Sequence, residues 1–290
     1  VVHIRQRYWP KAGRAGVWRG LVLLCQLALF LAITLLLAAC DPQTNDALTL
    51  TGSTSVTPFA ERLAELYQRA HPGTAINIQG LGSSAGIRAT LDGVAEIGMS
   101  SRDLKPDEAA LLDQVVIARD ALAVIVNPAN PVTALSRDQI LSIFARPSGS
   151  WAALGGSEQP IVVVSREAGS GTFSAFEDLV MKGTPISSAA LRQGSNGAIR
   201  QIVAGDPQAI GYISLGIVDQ TVKALMIDGV RPSAEHVEAG TYRLARPFLL
   251  VWRKDQPLTP LARSFIDYVV GPEGQAELAR AGLVKGAPPR

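Results

Sequence analysis

Thiols are almost missing from this 290-residue chain: its two cysteines, Cys25 and Cys40, both fall in the first 40 residues. Everything after them therefore lacks the means to build a disulfide framework or a thiolate zinc site. Histidine is nearly as scarce, and His71 and His236, the two beyond residue 40, sit in no recognisable metal-binding motif. Acidic residues are absent from residues 1–40, where Arg5, Arg7, Lys11, Arg14 and Arg19 account for the formal net charge of +2; without those five, 22 basic side chains face 25 acidic ones. That balance excludes bulk electrostatic attraction to nucleic acid. No internal repeat and no low-complexity block interrupts the chain. With 47% apolar and 18% charged residues it is neither a disordered tail nor a collagen, and its length predicts roughly two domains, each able to bury a core.

One long apolar run is present. Residues 21–40 carry no charge and follow the basic stretch, as a secretory signal does. At this length the run also reaches the minimum for a membrane span, so an uncleaved anchor remains open. Its end, Leu37-Ala38-Ala39-Cys40, resembles the bacterial lipobox. The resemblance implies cleavage before Cys40, lipidation of its sulfur, and a membrane lipoprotein on the periplasmic or extracytoplasmic face. Two or more acyl chains make such anchoring stable. Residues 41–47 read as a polar tether.

The rest alternates short apolar runs with helical periodicity. Strands are expected at 48–51, 74–79, 97–99 and 121–126, with helices at 58–70, 85–91 and 107–112 between them. After the turn-rich Asn127-Pro128-Ala129-Asn130-Pro131, a second series has helices at 137–144, 172–181 and 198–204 and strands at 161–164 and 210–213. An apolar stretch at 247–251 leads to closing helices at 260–270 and 274–281. This βα alternation argues for parallel α/β sheets in two lobes joined by two extended crossings.

Four segments place Ser, Thr and Gly between a strand and a helix: Gly52-Ser53-Thr54-Ser55, Gly80-Leu81-Gly82-Ser83-Ser84-Ala85-Gly86, Gly98-Met99-Ser100-Ser101-Arg102, and Arg166-Glu167-Ala168-Gly169-Ser170-Gly171-Thr172. Helix starts expose unpaired N–H groups, glycines admit an anion to the backbone, and hydroxyls add donors. Any one loop is explained by ordinary Ser/Thr capping; four together, one with an arginine, point to an oxyanion cage. Arg166 offers the planar paired donors that suit a tetrahedral oxyanion, and it follows a strand, where open α/β sheets bind ligands.

These segments, with Ala209-Ile210-Gly211-Tyr212-Ile213-Ser214, resemble in order the phosphate-binding proteins of bacterial ABC phosphate importers, over about residues 48–283. The resemblance implies an α/β, two-lobed periplasmic-binding-protein fold of type II, with two mixed or parallel sheets and two hinge crossings. Lobe 1 is expected at 48–123 plus 246–290 and lobe 2 at 124–245. It implies that a monomer without catalytic function, cofactor or metal closes over inorganic phosphate and delivers it to a permease with ATPase subunits. Carried over by position, Thr54, Ser55, Ser83 and Ser101 come from the first lobe, and Arg166, Ser170, Gly171 and Thr172 from the second; Ser195 is better explained as a helix cap. Some members use aspartates to accept hydrogen bonds from protonated phosphate and so reject sulfate; Ser101 and Ala168 stand there in this chain. Asp103 and Glu167 are adjacent, but neighbours on an extended segment point to opposite faces.

Other readings are weaker. A receptor for another oxyanion, or a phosphate sensor without transport, would use the same loops. Gly82-Ser83-Ser84-Ala85-Gly86 fits the hydrolase elbow, with Ser84 as nucleophile and His236 as base, but no separate oxyanion motif accompanies it. Gly169-Ser170-Gly171-Thr172 lacks the lysine of a P-loop.

Overall fold

The computed structural model describes residues 47–146 and 149–286. The apolar run at 21–40, Cys40 and the tether to residue 46 lie outside the described residues. Among the described residues no helix is long and apolar enough to cross a membrane.

The chain begins with β1 (Ala47–Gly52), α1 (Thr57–Ala70), β2 (Ala75–Gly80), α2 (Ser83–Leu91), β3 (Ile97–Ser100) and α3 (Pro106–Leu111), and enters the long β4 (Leu112–Val126). Next come β5 (Ala134–Leu135), α4 (Arg137–Ala145), β6 (Val162–Arg166), α5 (Gly171–Phe176), β7 (Leu191–Gln193), α6 (Asn196–Gly205) and β8 (Ala209–Ser214). Short β9 (Lys223–Ala224), β10 (Met226–Ile227) and α7 (Ala234–Glu238) precede β11 (Ala245–Arg253), α8 (Pro260–Val270), α9 (Pro272–Arg280) and β12 (Val284–Lys285).

Local chemistry accounts for most of these elements. In α1 a proline opens the first turn and Phe59, Leu63 and Tyr67 recur on one buried face. Ser136 and Gln139 close a capping box on α4. The helix expected at 172–181 changes character: α5 ends at Phe176 and a π-helical turn, Glu177–Met181, buries Val180 and Met181.

The main sheet runs β2-β1-β3-β11-β4-β8-β6-β7, with β9 and β12 also pairing β4. The two-lobed α/β expectation holds, and β4 makes the sheet continuous. Its residues 112–121 pair antiparallel with β11, and from Leu122 onward it pairs with β8. Beyond that point successive β4 residues feed opposite cores: Leu122, Val124 and Val126 pack with Phe144, Trp151 and Phe176, whereas Ala123 and Ile125 pack with Ile199, Val203 and Ile213. Burial on both faces explains why the end of β4 is one apolar run rather than an alternation. A separate core gathers Leu48, Leu50, Phe59, Leu63, Met99, Phe248 and Phe265. The strand expected at 121–126 begins earlier, at Leu112: Asp113, Gln114, Arg119 and Asp120 interrupt the hydrophobic pattern there, and pairing with β11 and β12 holds that half extended.

Candidate functional site

All four Ser/Gly-rich loops follow strand ends, and they converge. In the first, Ser53 Oγ accepts from the amides of Ser55 (3.1 Å) and Val56 (3.4 Å), taking over the start of α1, where Val56 has no capping side chain. With both lone pairs used, the Ser53 hydroxyl donates to Ser101 Oγ at 2.8 Å. Ser83 Oγ, at the start of α2, accepts the Ser101 amide at 3.1 Å. That helix sits close to β1 because of Gly86, where a Cβ would overlap the Thr51 carbonyl.

The second half of the chain meets these hydroxyls directly. Ser55 Oγ and Thr172 Oγ1 are 2.8 Å apart, and the Ser84 amide donates to the Gly169 carbonyl at 3.1 Å. A Cβ on Gly171 would overlap Ser83 Oγ and lie 2.7 Å from Ser101 Oγ, so glycine is what lets this backbone approach. Ser170 caps α5, accepting from the amides of Thr172 (3.1 Å) and Phe173 (3.2 Å), and keeps only its hydrogen to offer elsewhere. Asn196 Nδ2 donates to Ser55 Oγ (2.8 Å) and Thr54 Oγ1 (3.1 Å).

Arg166, at the end of β6, is 1% exposed. Its Nε and Nη2 donate to Glu167 Oε2 (3.0 Å) and Oε1 (2.8 Å) and to the carbonyls of Gln193 (3.1 Å) and Gly194 (3.1 Å). The remaining nitrogen, Nη1, is buried with no partner among the described residues. Its backbone is also fixed: the amide donates to the Tyr212 hydroxyl at 3.3 Å, and Arg192 Nη1 donates to its carbonyl at 3.1 Å. Burial pushes Tyr212 up to about 12, so that hydroxyl stays protonated.

Glu167 departs from expectation. The Ser170 amide donates to the Glu167 carbonyl, so the chain turns there and strand alternation no longer applies; the carboxylate folds back onto the guanidinium. The sequence also singled out neither member of a second charge pair. Arg246 on β11 lies opposite Asp120 on β4, and its Nε and Nη2 donate to Asp120 Oδ2 at 3.1 and 3.0 Å. Arg246 Nη2 also donates to Ser55 Oγ at 3.1 Å, while Ser214 Oγ donates to Asp120 Oδ1 at 2.9 Å and the Ser214 amide to Asn196 Oδ1 at 3.4 Å. Asp120, Ser214, Asn196, Ser55 and Arg246 thus close a hydrogen-bonded ring. Burial raises the Asp120 carboxyl and lowers the Arg246 guanidinium, each opposed by the other's charge, and Arg166 is near enough to act on Arg246 as a like charge. No local signal marks either: Asp120 follows Arg119 in the polar half of β4, and the pair meets only through strand register.

The structure thus brings Thr54, Ser55, Ser83, Ser101, Gly171 and Thr172 together, with Arg166 and Ser170 at the base of the same loop. Ser195 Oγ accepts from Ala198 N and only caps α6. Ser84 and His236 do not meet: Ser84 bonds Gly169 and Arg102, and the His236 ring contacts Ser233 Oγ and the Arg231 carbonyl. Among the described residues no group of three or more His, Cys, Asp or Glu is placed to hold a metal ion.

Comparison with known proteins fits this geometry. Residues 38–273 match the pattern of a PBP superfamily domain. The phosphate-binding protein PstS of Bacillus subtilis is 30% identical over 240 residues, which is 79% of this chain and 77% of that protein. A Clostridium perfringens phosphate ABC transporter substrate-binding protein solved with bound phosphate is 42% identical, covers 83% of this chain and 99% of its own, and superposes with a TM-score of 0.79. An ABC-type phosphate transport receptor from Vibrio cholerae is 37% identical, with 82% and 99% coverage and a TM-score of 0.68. The chain belongs to the PBP superfamily and, within it, to the phosphate-binding proteins.

Proposed function

We propose that this protein captures inorganic phosphate between its two lobes and delivers it to an ABC-type permease with ATPase subunits, without a chemical step. The observation that carries this reading is Arg166 Nη1: a buried, charged donor with no protein partner among the described residues, held in place on its other nitrogens. An unsatisfied buried donor is costly, by about 1–3 kcal/mol and more when charged, and an oxyanion removes that cost. Thr54, Ser55, Ser83, Ser101, Ser170 and Thr172 supply hydroxyls, and Gly171 admits the anion to the backbone. Micromolar affinity corresponds to about −8 kcal/mol, within reach of roughly eight donors at about 1 kcal/mol each after the cost of closure. The separation of Ser84 from His236 speaks against the hydrolase alternative.

In this reading the protein is an exported lipoprotein, anchored through Cys40 and acting as a monomer on the extracytoplasmic face. Calorimetric titration of the purified protein with phosphate, repeated on Arg166→Ala, tests the binding claim. Saturable one-site binding that disappears in Arg166→Ala is expected; equal binding by the two proteins would refute the assignment.

A further inference from the structure

Hydrogen-bond polarity at Ser55 goes a step beyond the ligand assignment, on which it rests. A serine hydroxyl has two lone pairs and one hydrogen. At Ser55 both acceptor positions are filled by groups that can only donate: Arg246 Nη2 at 3.1 Å and Asn196 Nδ2 at 2.8 Å. The Ser55 hydrogen must therefore point away from both, along the 2.8 Å contact to Thr172 Oγ1. Thr172 then receives at that contact and keeps its own hydrogen for another acceptor. Two hydroxyls whose separation alone leaves the donor undecided thus acquire one direction.

We propose that Arg246 is a positioning residue for the anion site: with Asn196 it locks the Ser55 hydroxyl as the donor to Thr172, so that the Thr172 hydrogen is left to donate to the bound oxyanion. Asp120 serves the same end. It grips Nε and Nη2 of Arg246 from the facing strand, fixing the guanidinium plane so that Nη2 also reaches Ser55. The geometry needs a forked cation. Lysine, a single point donor on a flexible stem, would satisfy Asp120 without holding Ser55. Because Asn196 and Ser55 belong to opposite lobes, the lock completes only when the lobes meet.

The test is a double-mutant cycle read by phosphate titration calorimetry on the purified wild type, Ser55→Ala, Arg246→Lys and the combined variant, with unliganded melting curves to establish folding. Each single change is expected to weaken phosphate binding by roughly tenfold or more, and the combined variant by no more than the weaker single variant, because the arginine acts through Ser55. Asn196→Ala, which frees the other lone pair, should couple to Ser55→Ala in the same way. A general structural role for Arg246 predicts losses that multiply; that result, or wild-type affinity in Arg246→Lys, would overturn the proposal. Should Arg246→Lys not fold, Asp120→Asn with Arg246→Gln removes both charges together and takes its place in the cycle under the same criteria. A wild-type protein that takes up no phosphate would instead sink the phosphate reading, and this inference with it.

Discussion

Asp120 and Arg246 face each other across the antiparallel pair β4 and β11, two residues before Leu122, where β4 exchanges β11 for β8 as its partner. Both are almost fully buried; Arg246 reaches the first site loop through Ser55, and Asp120 reaches the end of β8 through Ser214. The pair ties β4 and β11 to the loop that carries Ser55 and to the end of β8.

Breaking this pair from one side leaves a buried charge alone, which costs about 3–5 kcal/mol, whereas removing both charges is far milder. Arg246→Met should therefore lower the melting temperature by roughly 10 °C, and adding Asp120→Leu should restore most of the loss. Thermal denaturation of the two variants, followed by circular dichroism, checks this.

Gly171 is a test of closure separated from stability. Its missing Cβ makes room for Ser83 and Ser101, which come from the first half of the chain. Gly171→Ala should hold the lobes apart and weaken phosphate binding by at least tenfold, about 1.4 kcal/mol, while the unliganded melting temperature changes little. Calorimetry and a melting curve on the same sample provide both readouts.

The Arg102–Glu108 pair gives a pH dependence. Glu108 accepts from Arg102 Nη1 (2.7 Å) and Nη2 (2.8 Å) and from the Lys105 amide (2.8 Å). Burial alone would raise its pKa, but these bonds outweigh it and hold the carboxyl below its ordinary value. A depressed folded-state pKa contributes stability that is present above the unfolded value and lost as pH falls through the folded one. The melting-temperature gap between wild type and Glu108→Gln should be widest near neutrality and shrink as the solution is acidified through the carboxylate range. A gap independent of pH would contradict the assignment.

Glu167 holds two nitrogens of Arg166, and Nη1 has no partner among the described residues. Glu167→Gln keeps the shape but offers only one carbonyl oxygen, so the guanidinium should be less firmly aimed and phosphate affinity should fall about fivefold to tenfold. Titration of this variant beside wild type decides it, and unchanged affinity would show that the backbone carbonyls suffice.

Most of the fold was legible because local rules agreed with tertiary ones. The helix expected at 58–70 is Thr57–Ala70, and that at 260–270 is Pro260–Val270; in both, proline marks the start and the apolar stripe marks the buried face. The first half of β4 and all of β7 were missed because their extended state is imposed by neighbours: Leu191, Arg192 and Gln193 form a strand only by pairing with β6. In the site, the hydroxyl loops could be read because each is contiguous in sequence. The ring behind Ser55 could not, since Asp120, Asn196, Ser214 and Arg246 are far apart in the chain and meet only through strand register. Glu167 was misjudged for a smaller reason: the strand ends one residue earlier, at Arg166.

The central claim, that Arg166 Nη1 and the converging hydroxyl loops form the anion site, is tested most directly by a crystal structure with arsenate, whose anomalous scattering identifies the arsenic atom by element. The prediction is one arsenate enclosed between residues 53–55, 83, 101 and 170–172, with an oxygen within hydrogen-bond distance of Arg166 Nη1. An arsenate bound elsewhere, or one in this cleft with Arg166 Nη1 turned away, would contradict it.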